Sequence, residues 1–317
     1  MGEKDIRTNE YMSDNERFAD IFNYFLYDGE QVIKPKRLKE LDTKAIVLPH
    51  GDGRKKSTAI QKYRDVFKML AAMEDDTAAY LLLGVEDQTN VHYAMPVRNM
   101  LYDAAAYAKQ VEDIVNQNKA ETRTGKKKLS GSEYLSGFTS EDKLVPVITL
   151  VVYWSANEWD GPKSVHDMFT IKDKRILKHV ANYKINVIAP KNISDKDFEK
   201  FHTELSEALQ FIKYSKNRKK LEEVVNTKKE FKKLDRKTVE VLNTVTNAKI
   251  DIPEGAKEVN MCIALEEMKK EAAEKAVDER LIDSVKSLMK RLKLSAKEAM
   301  DAMNIPPKDQ KRYTKML

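Results

Sequence analysis

The chain is poor in the residues that build cross-linked or zinc-stapled proteins. Its 317 residues include one cysteine, Cys262, so no disulfide and no cysteine zinc site can form within the chain. Cys262 lies in a helical apolar pattern and is interpreted as a core thiol. The five histidines are scattered without the i, i+4 spacing of a zinc-protease helix, and we interpret them as structural or surface residues. The composition favours a reduced, cytoplasmic protein.

Long apolar runs are absent as well. No run approaches 18 residues, which excludes a transmembrane helix, and residues 1–15 lack the apolar segment of a secretory signal. Hydrophobic residues make up 41% of the chain and charged residues 34%. Such a chain can bury a sizeable core under a highly charged surface, as one large domain or one domain with an appendage.

Positive charge is concentrated in two segments. The net charge is +6, yet residues 213–237 alone contain eleven Lys or Arg and four Asp or Glu. Residues 119–128 add five basic residues against one acidic residue. Such segments neutralise phosphates in nucleic-acid-binding proteins, and they also occur as solvated helix faces and flexible loops.

Hydrophobic periodicity predicts strands in the first 190 residues and helices throughout. Strands are expected at 78–85, 145–153 and 183–189, and helices at 15–27, 98–111, 194–214, 236–245 and 259–294. Residues 114–132 are polar and lysine-rich, and they predict a flexible basic loop. No convincing strand follows residue 216 beyond a short piece near Ile250. The pattern predicts a mixed α/β domain with an all-helical C-terminal region.

The end of the C-terminal region has its own motif. Ser295 and Glu298 form a capping box before a short helix that ends near Met303. This segment resembles half of a helix-turn-helix. The prolines Pro306 and Pro307 break the chain, and the sequence predicts no reading helix after them. The long helix 259–294 predicts a packing or self-association surface, through which a homo-oligomer would form.

The most informative motif closes the apolar run 78–85. Glu86, Asp87 and Gln88 follow that strand directly. Because strand side chains alternate, Glu86 and Gln88 point the same way. A carboxylate and an amide at the end of a buried strand suit a divalent cation and a polarised water, and Asp65 is positioned upstream to add a second carboxylate. Acidic residues at strand ends are more commonly solvated turn residues.

Several short motifs together resemble the recombination-promoting nuclease family, the transposase-named proteins of the PD-(D/E)XK nuclease superfamily. The matching residues are an aspartate in Tyr63-Arg64-Asp65-Val66, the Glu-x-Gln of residues 86–88, and the Met95-Pro96-Val97-Arg98 lead to Tyr102. The helix entry at residues 15–18 and the segments PVITLVVYWS, WDGP and YKINVIAP extend the resemblance over residues 14–215.

The resemblance implies a restriction-endonuclease-like fold, in which a mixed sheet is flanked by helices, over residues 1–225, with a helical region over 226–317. Asp65 and Glu86 would hold Mg²⁺ or Mn²⁺, and Gln88 would replace the superfamily's usual lysine. Glutamine offers neutral hydrogen bonds where lysine offers a charge, which argues for slow or conditional hydrolysis. A helix carboxylate completes such sites, and Glu16 is the first choice, with Asp20 as the alternative.

The fold makes one demand that the local pattern opposes. Asp65 should lie on a strand paired with 78–85 through the acidic turn at residues 74–77, whereas residues 62–74 have helical spacing at Val66, Met69 and Leu70. We expect the hairpin, because acidic residues between two short strands favour a turn.

Candidate DNA contacts lie outside the metal site. Arg98 and Tyr102, one helical turn apart, are expected either to grip a phosphate or to serve as a structural salt bridge and a packed tyrosine. The basic candidates are Lys213, Lys216, Arg218, Lys219 and Lys220. Trp154 and Trp159 suit base stacking, but core packing under a turn is the more common role.

Two functional hypotheses follow. The first is a Mg²⁺-dependent DNA endonuclease with little sequence preference, which promotes recombination or element mobility. The second is a catalytically silent nuclease-fold protein that binds DNA or a protein partner through its basic segment and helical tail. A third, weaker idea is a DDE-type transposase, for which no suitable third carboxylate occurs late in the chain.

Overall fold

The computed structural model of the chain describes residues 3–41, 71–85 and 93–317. These residues form two compact units, Met1–Val259 and Asn260–Leu317. Asp65, Glu86 and Gln88 lie outside the described residues. No helix in the described part of the chain is long and apolar enough to cross a membrane.

The first unit combines one five-stranded sheet with eight α-helices among its described residues. The strands of this sheet are β1 (Lys39–Glu40), β2 (Ala71–Glu74), β3 (Ala79–Val85), β4 (Val147–Tyr153) and β5 (Asn186–Ile188). The helices are α1 (Glu3–Met12), α2 (Asn15–Tyr27), α3 (Met95–Arg123), α4 (Gly131–Ser136), α5 (Lys174–Leu177), α6 (Leu205–Tyr214), α7 (Arg218–Thr227) and α8 (Arg236–Thr246). A small ribbon pairs β6 (Leu234–Asp235) with β7 (Glu258–Val259). This ribbon was not expected, because the sequence predicts no strand after residue 216 beyond a short piece near Ile250, and two-residue strands are too short to show a periodic pattern.

The sheet is mixed, with the order β1-β2-β3-β4-β5. Strands β1, β2 and β3 are antiparallel neighbours, and β3, β4 and β5 are parallel. Helix α3 connects the parallel strands β3 and β4, as a parallel pair requires. The strands expected around 78–85, 145–153 and 183–189 are all present, the last shortened to three residues. The predicted mixed α/β fold is therefore confirmed.

The hairpin expected before Glu86 is present in its described part. Residues Ala71–Glu74 form β2 and pair with β3 from Ala71 opposite Leu82 to Glu74 opposite Ala79. The Asp75 carboxylate accepts hydrogen bonds from the backbone N–H groups of Thr77 and Ala78, at 2.8 and 3.1 Å, which closes the turn. Tertiary pairing thus overrides the helical spacing that ends at Glu74.

Helix α2 begins and ends where its sequence predicts. The Asp14 carboxylate accepts from the Arg17 N–H, and Asp28 adopts a left-handed conformation at the C-terminal end. Phe18, Ile21 and Phe22 of its apolar stripe are buried, with Phe18 and Phe22 stacked at 4.9 Å between ring centroids, whereas Phe25 is 37% exposed. Phe22 also packs against Tyr80 of β3, which places α2 on the sheet.

Helix α3 is much longer than the segment 98–111, and the predicted loop over 114–132 is wrong for its first ten residues. The helix continues to Arg123, and α4 begins at Gly131. Buried Asn118 anchors the extension because its amide donates to the Gly137 carbonyl at 3.0 Å and to the Asp142 carboxylate at 2.7 Å. These long-range partners are invisible to a local polarity count.

The second unit contains three helices. They are α9 (Met261–Leu292), α10 (Ala296–Ala302) and α11 (Pro307–Thr314). The helices expected at 259–294 and after the Ser295 capping box are confirmed. The expectation of no helix after Pro306 and Pro307 is wrong, because Pro307 starts α11. Proline suits the first turn of a helix, where the missing N–H has no helical partner. The boundary expected at residue 225, between a nuclease-like domain and a helical C-terminal region, stays a prediction.

Candidate active site

The candidate site is attached to the edge of the five-stranded sheet that is formed by the carboxyl ends of the parallel strands β3 and β4. Val85, the last residue of β3, pairs with Tyr153, the last residue of β4. Strand β2 begins at Ala71, opposite Leu82 near the end of β3. The chain therefore enters β2 at the edge where it leaves β3. Asp65 precedes β2 by six residues and Glu86 directly follows β3, so both belong to segments attached to this edge.

The first turn of α3 packs at the same edge. Its Met95 and Tyr102 share one buried apolar cluster with Tyr153, at the end of β4, and Ala189, directly after β5. Helix α3 begins nine residues after Glu86 in the sequence. Any polar side chain exposed on its first turns therefore lies beside the carboxyl ends of the parallel strands, where α/β sheets place their ligands.

Arg98 and Tyr102 are in contact. Arg98 Nε donates to the Tyr102 hydroxyl at 2.5 Å, and its Cζ lies 5.7 Å from the ring centroid. Tyr102 is fully buried, and this burial raises its pKa. Tyr102 is thus a packed tyrosine, and a phosphate contact by this pair of residues stays a prediction. Arg98 is only partly buried and bears the charge at this end of α3.

An acidic network that sequence reasoning missed fixes α3 to the sheet. Asp103 accepts hydrogen bonds from the hydroxyls of Thr149 on β4 and of Tyr183 before β5, the latter at 2.6 Å. Burial raises the pKa of Asp103, while both hydroxyls stabilise its ionised form. The residues are up to 80 positions apart, so no local sequence motif predicts the contact.

A second missed feature is the buried amide of Asn99. Asn99 is fully buried on α3 between Met95 and Tyr102, and neither amide atom has a hydrogen-bond partner among the described residues. Leaving such a group unpaired costs about 1–3 kcal/mol. The available signal is a hydrophilic residue among the apolar residues Met95, Pro96 and Tyr102 on the buried face of the helix.

The two tryptophans are core residues, as the more common role predicts. Trp154 is buried with its ring 6.3 Å from that of Tyr11, and Trp159 is buried edge-on to Tyr153 at 5.5 Å. The base-stacking alternative is wrong, because neither indole face is exposed.

The helix carboxylates have different surroundings. Asp20 is buried and accepts from the N–H groups of His202 and Thr203 and from the Thr203 hydroxyl, at 2.7–3.0 Å. It closes the turn before α6, which explains why that helix begins at Leu205 rather than at the predicted residue 194. Asp20 is therefore engaged in holding the fold, whereas Glu16 is exposed.

Glu16 lies on the rim of a groove of about 1360 Å³. Carboxylates and lysines line this groove, among them Glu204, Glu207 and Lys228. Burial raises the pKa of Glu207 to about 7. Within the described ranges, no group of three or more His, Cys, Asp or Glu side chains is arranged to hold a metal ion.

The basic candidates are largely engaged with neighbouring side chains. Lys213 donates to the Ile193 carbonyl and the Asp195 carboxylate, both at 2.7 Å, and its side chain is only 13% exposed. These contacts engage Lys213 within the fold, and its role as a DNA contact stays a prediction. Arg218 pairs with Glu222 and Lys220 with Glu223 within α7.

The other two basic candidates are more accessible. Lys216 reaches the Asn157 amide oxygen at 2.8 Å, and Lys219 is exposed. Exposed lysines continue along the segment that follows α7, at Lys229, Lys232 and Lys233. Exposed positive charge in this part of the unit therefore lies at residues 229–233 more than at the candidates between 213 and 220.

Comparison with known proteins identifies a family for this chain. No curated protein and no solved structure matched the chain. The model of the family described as "Putative transposase, YhgA-like" matches residues 60–241, which is more than half of the chain. The resemblance drawn from the sequence motifs is thereby confirmed. The chain belongs to this YhgA-like family of PD-(D/E)XK-like transposases.

Proposed function

We propose that this protein is a metal-dependent DNA endonuclease with a restriction-endonuclease-like core, whose cleavage promotes recombination or element mobility. The observation that carries the proposal is the shared sheet edge: the chain enters β2 and leaves β3 at the same end of the sheet. Asp65 and the Glu86-x-Gln88 motif lie on these two segments in the sequence. Family membership supports the same reading of the motif.

The sheet arrangement supports the fold proposal. An antiparallel hairpin, β2-β3, is followed by a helix and then by a parallel strand, β4, within one mixed sheet. This order lets both arms of the hairpin and the helix that follows it contribute to one edge. Five residues separate Asp65 from Ala71, so the Cα of Asp65 is at most about 20 Å from the start of β2.

The donor set fits a hard divalent cation. Carboxylate and amide oxygens are the ligands that Mg²⁺ and Mn²⁺ prefer, and the chain has no competing cysteine cluster. Bound there, the ion would lower the pKa of a water and neutralise charge on the scissile phosphate. Asp65 and Glu86 would hold this ion, and Gln88 would orient the attacking water by hydrogen bonding.

Arg98 is the proposed phosphate-binding cation. Its Nε is used by Tyr102, which leaves the terminal guanidinium N–H groups to bind a phosphate oxygen. The fully buried Tyr102 serves as a positioning residue. Backbone contacts of this kind give affinity with little sequence preference. Lys216 and Lys219 extend the backbone contact, and Lys213 is omitted because it is engaged with Asp195.

Plasmid nicking in the presence of Mg²⁺ or Mn²⁺ tests the proposal. Wild type should convert supercoiled plasmid to open circles, and Asp65→Ala and Glu86→Ala should each lower the rate at least about 100-fold. The matched control is Asp76→Ala, an exposed carboxylate in the hairpin turn at the opposite edge of the sheet. Equal rates in all four proteins would overturn the metal-site assignment.

The silent-binder alternative has one feature in its favour, the glutamine at position 88. A fixed positive charge beside the ion would stabilise the developing phosphate charge better than a neutral amide does. Gln88→Lys should therefore increase the nicking rate about ten-fold if the site is catalytic. A wild type and a Gln88→Lys variant that both leave the plasmid intact, while still binding it, would favour the silent binder.

A further inference from the structure

The second unit has a hydrophobic core of its own. Val285 on α9, Ala299 and Met300 on α10, and Ile305 in the following turn are buried together. Partly buried apolar residues close this core, and they include Leu281 and Leu288 of α9 and Tyr313 of α11. The last turns of α9 and the two short helices thus form one three-helix arrangement.

The connection between α10 and α11 is a tight, fixed turn. Four residues separate Ala302 from Pro307, and Asn304 adopts a left-handed conformation with φ 56°. Asparagine tolerates this conformation better than most residues. Gln310 Nε2 donates to the Ile305 carbonyl at 3.0 Å and to the Asp301 carboxylate at 2.7 Å, and these bonds hold α11 against α10. Two short helices joined by a turn of this length have the connectivity of a helix-turn-helix.

A buried carboxylate sets the orientation of α11. Asp278 on α9 is buried. Its carboxylate accepts a hydrogen bond from the Tyr313 hydroxyl at 2.7 Å and forms an ion pair with Arg312. Tyr313 and Gln310 therefore face inward. The opposite side of α11 must face outward, since a helix turns 100° per residue.

The outward side of α11 is a stripe of cations. Lys308 and Lys311 on α11 and Lys315, directly after its last residue, are exposed at i, i+3 and i+7, and no described residue forms an ion pair with them. Arg312 lies beside them, and its side chain is 61% exposed despite its pairing with Asp278. Residues 286–317 contain nine Lys or Arg and three Asp or Glu, an excess as large as the net charge of the whole chain.

We propose that the α10–α11 pair is a second DNA-binding surface, in which α11 enters the major groove of duplex DNA and its lysines contact the flanking phosphates. A helix with its side chains is about 10–12 Å wide and fits the major groove of about 12 Å. The choice of DNA as the polyanion rests on the proposed function, but the surface does not need the metal site.

The exposed side of α11 is unsuited to a lipid surface. A helix that lies on a membrane exposes a continuous apolar face beside its cations. On α11 the large aromatic, Tyr313, points into the unit's core, and the outward positions are lysine, arginine and threonine. An acidic protein is the remaining competitor, and the experiment below distinguishes it from DNA.

The test is equilibrium binding of the full chain to a fluorescent 20-base-pair duplex, in EDTA so that metal-dependent cleavage is suppressed. The variant Lys308→Gln/Lys311→Gln/Lys315→Gln should bind at least ten-fold more weakly than wild type. The slope of log K against log salt should fall by about 2–3, because each lost phosphate contact contributes about 0.9. The control Lys191→Gln/Lys270→Gln/Lys275→Gln removes the same charge from exposed positions elsewhere and should match wild type.

Equal affinity of wild type and the α11 variant for the duplex would overturn the proposal. It would also be overturned if wild type bound polyglutamate of matched charge as tightly as it binds the duplex. A Lys→Arg triple at the same positions should restore binding, which separates loss of charge from loss of folding. Glu86→Ala should bind the duplex like wild type while failing to nick plasmid. Failure of the DNA surface and failure of the nuclease proposal therefore give different results.

Discussion

The carboxylate of Asp103 on α3 accepts a hydrogen bond from the Tyr183 hydroxyl, 2.6 Å away, although the residues are 80 positions apart. Thr149 of β4 donates to the same carboxylate. One side chain thus ties α3 to β4 and to the chain that enters β5. Because α3 also bears Arg98, this contact sets where the proposed phosphate-binding cation lies along the sheet.

Removing the Tyr183 hydroxyl should weaken this link. Tyr183→Phe should lower the free energy of unfolding at pH 7 by about 1–2 kcal/mol, since a buried carboxylate loses a donor. The raised pKa of Asp103 contributes stability that is fully present below its unfolded pKa and is lost as pH rises through the folded pKa. Losing a bond to the ionised form raises the folded pKa further, so the loss with rising pH should be larger in the variant.

Urea unfolding of wild type and Tyr183→Phe between pH 4 and 8 measures this difference. Tyr134→Phe is the control, because that tyrosine is largely exposed. An identical pH dependence in wild type and Tyr183→Phe would contradict the assigned role of the contact.

Gly29 should be intolerant of a side chain. It has φ +92°, and a Cβ there would lie 2.7 Å from both the Cβ and the carbonyl oxygen of Lys200. Gly125 has φ +74° with nothing within 4 Å of its Cβ position. Gly125→Ala should therefore lower the free energy of unfolding by about 1 kcal/mol, through backbone strain alone. Gly29→Ala should lower it by about 1–3 kcal/mol more, because the new Cβ would also clash with Lys200. Thermal unfolding compares them, and equal losses would show that the Lys200 contact is unimportant.

Glu207 should make stability fall as pH rises. Burial raises its pKa to about 7, and Lys228 lowers it while Glu230 and Glu204 raise it. Its contribution is fully present below the unfolded pKa of about 4.3 and is lost as pH rises through 7. Glu207→Gln should therefore gain stability relative to wild type between pH 4 and 8, on the order of 2 kcal/mol. Glu254→Gln, an exposed glutamate outside this groove, is the control, and a constant difference across this range for Glu207→Gln would refute the assignment.

Replacing Asn99 should raise stability and lower activity. Its buried amide has no partner among the described residues, so Asn99→Leu, of similar size, should raise the free energy of unfolding by about 1 kcal/mol. If the amide serves the neighbouring site, the same variant should nick plasmid more slowly. A variant with lower stability than wild type would show that the amide is satisfied in solution.

Local sequence signals were sufficient for some elements and not for others. The caps and stripe of α2 and the β-branched run of β4 are local, and both elements lie where they were predicted. The spacing before Glu74 favours a helix, but pairing with β3 makes Ala71–Glu74 a strand. Polarity suggested a loop over 114–132, but Asn118 holds the end of α3 through distant partners. Such long-range contacts cannot be derived from local periodicity.

The candidate site shows the same division. The motif at residues 86–88 and the family were recognised from the sequence, and the family is confirmed. The contact of Arg98 with Tyr102 follows from their i, i+4 spacing. The structural role of Lys213 depends on Asp195, which a count of basic residues does not reveal. The metal role of Asp65, Glu86 and Gln88 stays a prediction.

Counting bound Mn²⁺ by electron paramagnetic resonance tests the central claim most directly, because it does not depend on turnover. Wild type should bind an ion at a site that Asp65→Ala and Glu86→Ala each weaken at least about 30-fold, whereas Asp76→Ala binds like wild type. Undiminished Mn²⁺ binding in either the Asp65 or the Glu86 variant would contradict a shared metal site.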